Sequence, residues 1–196
     1  CQMVFSADPR PLKYNTFGPY PQTVFADSCY VRVDTAEEAD FIYLGTPQLE
    51  IDGTWVDVEN IEPFKSRLEH FFSLNKPLVC PNPDCRAAAP GHLNPVVRQG
   101  ALAAYYESLG GRVSYFGKPY PDIYDYMLQF IDCPKHQMLM VGDTLQTDIL
   151  GAKRAGIKSA LVMTGISALE MAESGETDMQ KFASAQGIVP DYILEA

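Results

Sequence analysis

The sequence contains no run of about 18 apolar residues, so no segment reads as a membrane-spanning helix. It has no excess of positive charge: 15 Lys and Arg stand against 25 Asp and Glu, a formal net charge of −10. Phosphate backbones demand a basic face, which excludes a general nucleic-acid binder. A small anionic substrate is not excluded, because a bound divalent cation reverses the local field. Cysteine is sparse and odd in number, with five scattered at positions 1, 29, 80, 85 and 133. That pattern fits reduced thiols in a cytoplasmic protein better than a disulfide framework. Cys80 and Cys85 have no second Cys or His pair near them, so zinc is not expected there. Repeats and low-complexity segments are absent. No basic or apolar leader follows Cys1, which stands where an initiator Met is expected, so the chain reads as part of a longer protein.

What is present is a globular composition. The 196 residues are 46% hydrophobic and 20% charged, enough for one large or two small domains. The first 30 residues, rich in Pro, Gly and Tyr, read as loop with short strands. "DFIYLG" (40–45) reads as a buried strand, and "EPFKSRLEHFFSLN" (62–75) as an amphipathic helix. "KPLVCPNPD" (76–84) is a strand ending in a Pro-flanked loop. "VVRQGALAAYYESLGG" (96–111) is a helix closed by Gly110 or Gly111. "RVSYFGKP" (112–119) runs as a strand into Gly-Lys-Pro, and "DIYDYMLQFI" (122–131) is the next helix. Met138 to Val141 are apolar without alternation, as in a strand covered on both faces. Thr147 or Asp148 can cap the following helix, Lys153 and Arg154 suit its last turn, and Gly156 ends it. "IKSALVMTG" (157–165) is a further strand. The acidic segment beyond 166 reads as helix plus loop, and "PDYIL" as a last strand. Alternating strands and helices imply an α/β fold with a parallel sheet.

Ligands of such sheets collect at the carboxyl ends of strands. Three polar features stand at such ends: Asn82 and Asp84 after "PLVC", Lys118 after "VSYFG", and Asp143 after "MLMVG". Acids beside a lysine suit Mg²⁺ and phosphate, since Mg²⁺ takes a few hard oxygens and lysine supplies a point charge. Phosphoryl transfer needs mostly that positioning and neutralisation. Singly, each feature has a plainer reading: a turn at Gly-Lys-Pro, a solvated strand end at Asp143, a helix cap at Asp148.

"FGKPYPDIYDYML" and "LMVGDTLQTDILGAKRAGIKSALVMTGIS" together resemble motifs III and IV of the haloacid dehalogenase (HAD) superfamily, and more narrowly its NagD-like class IIA phosphatases. "LVCPNPD" is similar to the Asn-x-Asp substrate loop of that class, and "GIVPDYIL" to its C-terminal strand. The likeness is dense over 76–166 and 187–194 and looser from 10 to 75. It implies a Rossmann-like core, here partial, with an α/β cap: residues 1–110 mainly cap, 111–196 the C-terminal half of the core. By that resemblance Lys118 neutralises nucleophile and phosphate, Asp143 binds Mg²⁺, and Asp148 supports the metal shell or the lysine. Asn82 and Asp84 shape the substrate site, with Arg86 and His92 as neighbouring candidates for substrate contact. The implied activity is Mg²⁺-dependent hydrolysis of a small phosphorylated metabolite, and the resemblance leaves room for a homodimer through the cap.

The family's nucleophile motif, Asp-x-Asp, occurs nowhere in the chain. Its first Asp attacks phosphorus and its second is the general acid and base. The nearest imitation is "EIDGT" (50–54), where Glu50 would project one methylene too far for in-line attack, and a hairpin turn is the default reading. The chain thus reads as cap plus half-core, with its nucleophile elsewhere. The alternative is a non-catalytic phosphate- or metal-binding module. A phospho-receiver is disfavoured, because Lys118 precedes Asp143.

Overall fold

A computed structural model describes residues 10–19 and 29–195, which form two units. The first comprises the described residues up to Ala89 together with Val96–Tyr115, and the second Pro90–Pro95 and the residues from Phe116 onward. The loop expected over the first 30 residues lies partly outside the described residues.

The first unit is built on a five-stranded parallel sheet of order β2-β1-β3-β6-β9. Its strands are β1 (Leu12–Phe17), β2 (Tyr30–Arg32), β3 (Phe41–Leu44), β6 (Leu78–Cys80) and β9 (Val113–Tyr115). Every residue of β3 and β6 is buried, as central parallel strands require. Helix α1 (Lys65–Ser73) follows a single turn at Glu62–Phe64, and α2 (Gln99–Ser108) is its neighbour in the unit. Leu68, Phe71, Leu102 and Tyr106 from these helices join Ile42, Leu44 and Leu78 in one core. Two small hairpins complete the unit: β4 (Gln48–Ile51) with β5 (Thr54–Asp57), and β7 (Arg86–Ala87) with β8 (Val96–Val97). "EIDGT" is the first hairpin's turn, with Asp52 at φ 50° and Gly53 at φ 77°, and Glu50 is exposed opposite Trp55. The stretch is thus the hairpin of its default reading.

The second unit carries a three-stranded parallel sheet, β10 (Leu139–Gly142), β11 (Lys158–Val162) and β12 (Tyr192–Leu194). Helices α3 (Pro121–Leu128), α4 (Leu150–Ala155), α5 (Ile166–Ser174) and α6 (Met179–Ala185) connect and cover it. Leu145, Ile149, Leu161, Met179, Ala183 and Ile188 form its main core. Gly156 ends α4 in the left-handed region at φ 69°, as the sequence pattern requires.

Three expectations need correction. The strands before Asn82, Lys118 and Asp143 do not share a sheet, because β6 and β9 pair in the first and β10 opens the second. Strand β10 is not covered on both faces: Leu139 and Val141, which share one face, are 50% and 51% exposed, and among the described residues β10 pairs with β11 alone. Neither Thr147 nor Asp148 caps the helix at its start. A wide turn, Leu145–Ile149, precedes α4, its cap position is Thr144, and Thr147 and Asp148 lie buried within it. Pairing and capping depend on contacts that local periodicity does not encode.

Leu102 is fully buried, whereas Leu93 is fully exposed. Leu102→Ala should lower unfolding free energy by about 2–5 kcal/mol. Leu93→Ala should stay within about 0.5 kcal/mol of the unaltered chain. Urea unfolding followed by circular dichroism checks both.

Candidate active site

The site assembles in the second unit around the carboxyl end of β10. Gly117 and Tyr120 close the Gly-Lys-Pro turn, with the Tyr120 N–H donating to the Gly117 carbonyl at 2.9 Å, and the Lys118–Pro119 peptide is cis. Pro119 and Pro121 flank the start of α3, where a missing N–H leaves no intrahelical bond unmade. Lys118 Nζ then donates to Asp148 Oδ1 at 2.5 Å. The lysine side chain is 40% exposed, its partner 5%. One end of the pair is in the protein and the other faces solvent.

Asp148 is more than a counter-ion. Its Oδ2 accepts the N–H groups of Asp143 and Thr144 at 3.1 and 3.2 Å, so the carboxylate reaches back to the loop before its own turn. That turn is π-helical: the amides of Asp148 and Ile149 both donate to the Thr144 carbonyl, at 3.0 and 3.2 Å. The extra residue swings Asp148 inward, a use of such turns that recurs at functional sites. Close approach also fixes Gly142, where a Cβ would fall 2.2 Å from the Asp148 carboxyl carbon. Both Asp148 oxygens are thus satisfied within the protein, which assigns it to the lysine and the loop rather than to a cation.

Asp143 is arranged differently. Its Oδ2 accepts from the Ile166 N–H at 2.8 Å, at the first turn of α5, while Oδ1 has the Thr144 hydroxyl at 3.4 Å. The carboxylate therefore offers one oxygen of fixed direction. Mg²⁺ takes one or two carboxylates and keeps several waters, so this donor fits it as one ligand of a set. Among the described residues no group of three His, Cys, Asp or Glu side chains could hold a metal, so any remaining protein ligands would come from outside the described residues.

Tyr124 seats α3 against α4. Its hydroxyl is buried without a hydrogen-bond partner beside Gly151, where a Cβ would come within 2.1 Å of it. Burial, with the Asp148 charge behind it, pushes the phenol up to about 12. The sequence reading missed Tyr124, and it missed the Gly165–Ser167 segment that meets Asp143; a Gly and a Ser directly after a strand were the available signal.

Asn82 and Asp84 lie in the first unit on the loop from β6 to β7, and Arg86 follows them there. Asn82 Oδ1 accepts from the Asp84 N–H at 3.2 Å, and the Asp84 carbonyl accepts from the Gly100 N–H of α2 at 2.9 Å. Asp84 Oδ1 is buried without a partner. Arg86 opens β7 opposite Val97, and His92 lies within Pro90–Pro95, which groups with the second unit.

Comparison with known proteins agrees with this geometry. A family profile described as HAD-hydrolase-like matches residues 115–196. Rat (Rattus norvegicus) chronophin is 37% identical over 98 residues, 50% of this chain and 30% of that protein. The ribonucleotide monophosphatase NagD of Escherichia coli K12 is 38% identical over 76 residues, 38% of this chain and 30% of that protein. Among solved structures, a haloacid dehalogenase-like hydrolase from Brucella suis 1330 superposes with a TM-score of 0.73 at 27% identity, covering 94% of this chain and 65% of that one. A 4-nitrophenylphosphatase from Thermotoga maritima gives 0.53 at 29%, covering 83% and 54%. Residues 115–196 match the HAD-hydrolase-like family, and the chain is similar to NagD-like members of the haloacid dehalogenase superfamily. It spans about a third of the length of the curated relatives it matches.

Asp148→Asn would turn an amide N–H₂ toward either Lys118 or the two backbone donors, so it should lower stability by roughly 1.5–3 kcal/mol, the scale of a hydrogen bond to a charged group. Asp143→Asn can still accept from Ile166 and should lose less than about 1 kcal/mol. Thermal unfolding of the two variants ranks them, and equal losses would contradict the division of roles.

Proposed function

We propose that this chain supplies cap and half-core to a Mg²⁺-dependent phosphatase that hydrolyses a small phosphate ester, such as a sugar phosphate or nucleotide. In this reading the first unit is the cap and the second the C-terminal half of the core. The observation that carries it is Lys118 held by buried Asp148 beside Asp143, all at the carboxyl end of β10. Lys118 places a fixed positive charge for a phosphate oxygen while Asp148 keeps its ammonium in register. Asp143 holds the cation, which when bound neutralises charge on the transferring phosphoryl group. A carboxylate from outside the chain forms the oxygen–phosphorus bond as the ester oxygen leaves, and water then cleaves the aspartyl-phosphate to release inorganic phosphate. Asn82, Asp84 and Arg86 belong to the substrate side of the cap, where loops decide specificity.

The open side of β10 supports an external nucleophile. Leu139 and Val141 project from a strand whose second edge has no neighbour among the described residues. A further parallel strand at that edge would bring its own carboxyl end beside Asp143. The partner expected is a small phosphorylated metabolite, with neither nucleic acid nor membrane; no helix among the described residues is long and apolar enough to cross one. Cytoplasmic location and a homodimer through the first unit complete the reading. A second reading, a non-catalytic binding module, is favoured by one fact: no Asp-x-Asp occurs in these residues.

Hydrolysis of 4-nitrophenyl phosphate with Mg²⁺ separates them. The 196-residue chain alone should stay at background. A polypeptide that adds a strand ending in Asp-x-Asp should turn over, and Lys118→Met in it should reduce turnover about 100-fold or more. Robust turnover by the chain alone would refute the external nucleophile. Inactivity of the extended polypeptide on a panel of phosphate esters would favour the binding module.

A further inference from the structure

We propose that the first turn of α5 is the device that aims Asp143, with Ser167 as its positioning residue; this rests on the reading of Asp143 as a cation ligand. Four contacts converge. The Ile166 N–H holds Asp143 Oδ2 at 2.8 Å, and the Ser167 N–H holds the Asp143 carbonyl oxygen at 3.1 Å. The Leu145 N–H donates to Ser167 Oγ at 2.8 Å, and Ser167 is fully buried. Gly165 completes the fit, because a Cβ there would fall 1.8 Å from Asp143 Oδ2.

The consequence is directional. The cap position of α5 is Gly165, which has no side chain to satisfy the helix's first amides. Asp143 does so from another strand, 23 residues earlier in the sequence, and its Oδ2 is committed to that task. Oδ1, which has the Thr144 hydroxyl at 3.4 Å, is the oxygen left to meet a cation. Ser167 fixes the other end of the same loop, because Leu145 begins the π turn that carries Asp148. One buried hydroxyl therefore ties the cation acid to the lysine's acid. Without it the loop from Asp143 to Leu145 keeps its sequence but loses its outer anchor, and Oδ1 loses its direction. Groups that orient a ligand without touching the metal typically change affinity by about 10–100-fold.

The test uses Mn²⁺ as the probe and the polypeptide extended by a strand ending in Asp-x-Asp, which supplies the remaining ligands, following paramagnetic broadening of backbone amide signals by NMR. Broadening should centre on the amides of Gly142–Thr144 and of Gly165 and Ile166. Ser167→Ala should raise the Mn²⁺ concentration for half-broadening by about 10-fold or more. Ser167→Cys, closer in volume but a poor acceptor, should behave like Ala, and Ser167→Thr should restore most of the affinity. Thermal unfolding without Mn²⁺ identifies which variants are folded. A folded Ala or Cys variant that titrates like the unaltered chain would overturn the role of Ser167. Broadening that Asp143→Asn leaves unchanged, or none near Asp143, would instead overturn the cation reading itself.

Discussion

The second unit depends on where the charge of Asp148 can go. A carboxylate that is 3% exposed must find compensation for both oxygens, because an unpaired buried charge is destabilising by several kcal/mol. One oxygen takes a lysine that remains partly in water, and the other takes two backbone amides. Those two demands explain much of the local architecture. Gly142 must lack a Cβ, the chain must form a wide turn, and the Lys118 turn must stand against it. α3 is then fixed to α4 through Tyr124 and Gly151, so the lysine is held by packing as well as by charge. The lysine side chain is 40% exposed, so the ion pair sits where the protein surface begins, on a rigid base.

Two acids five residues apart in one loop would compete for the same cation if both were open. The structure separates them by hydrogen bonding. Asp148 is saturated by the protein, and Asp143 is half-saturated. The negative charge of Asp143 also sits at the positive end of α5, where a carboxylate is favoured before any cation arrives. The phosphoryl transfer proposed above would benefit from that order: charges that are already placed need no reorganisation when the transferring group develops its own.

Much of this was legible because it is local. Gly156 ending a helix, Gly117-Lys118-Pro119 after an apolar strand, and Gly142-Asp143 at a strand end are signals written within a few residues. The role of Asp148 was half legible. Its position near a helix start suggested a cap, and the carboxylate does accept backbone amides, but from residues before the turn rather than within the helix. What could not be read was pairing. "VSYF" has the composition of a strand in either sheet, and only its register beside Leu78–Cys80 places it in the first. The same holds for Asp143 and Ile166, whose contact spans 23 residues and leaves no periodic trace. Leu139 and Val141 misled in the opposite way: their apolarity correctly described a strand suited to cover, yet this chain supplies no second neighbour among its described residues.

That last discrepancy carries information. An apolar parallel strand open along one edge is a liability, since its unpaired N–H and C=O groups invite any extended segment. Leu139 and Val141 add exposed apolar area on the same strand, α3 in the same unit exposes Ile123, Tyr126 and Met127, and the turn after it exposes Phe130 and Ile131. Nothing in the geometry of Lys118, Asp143 or Asp148 needs those residues to be apolar; a polar β10 would hold the same site. Their apolarity is explained if that face of the strand is normally packed under a further layer, and a parallel strand at the open edge would end beside Asp143.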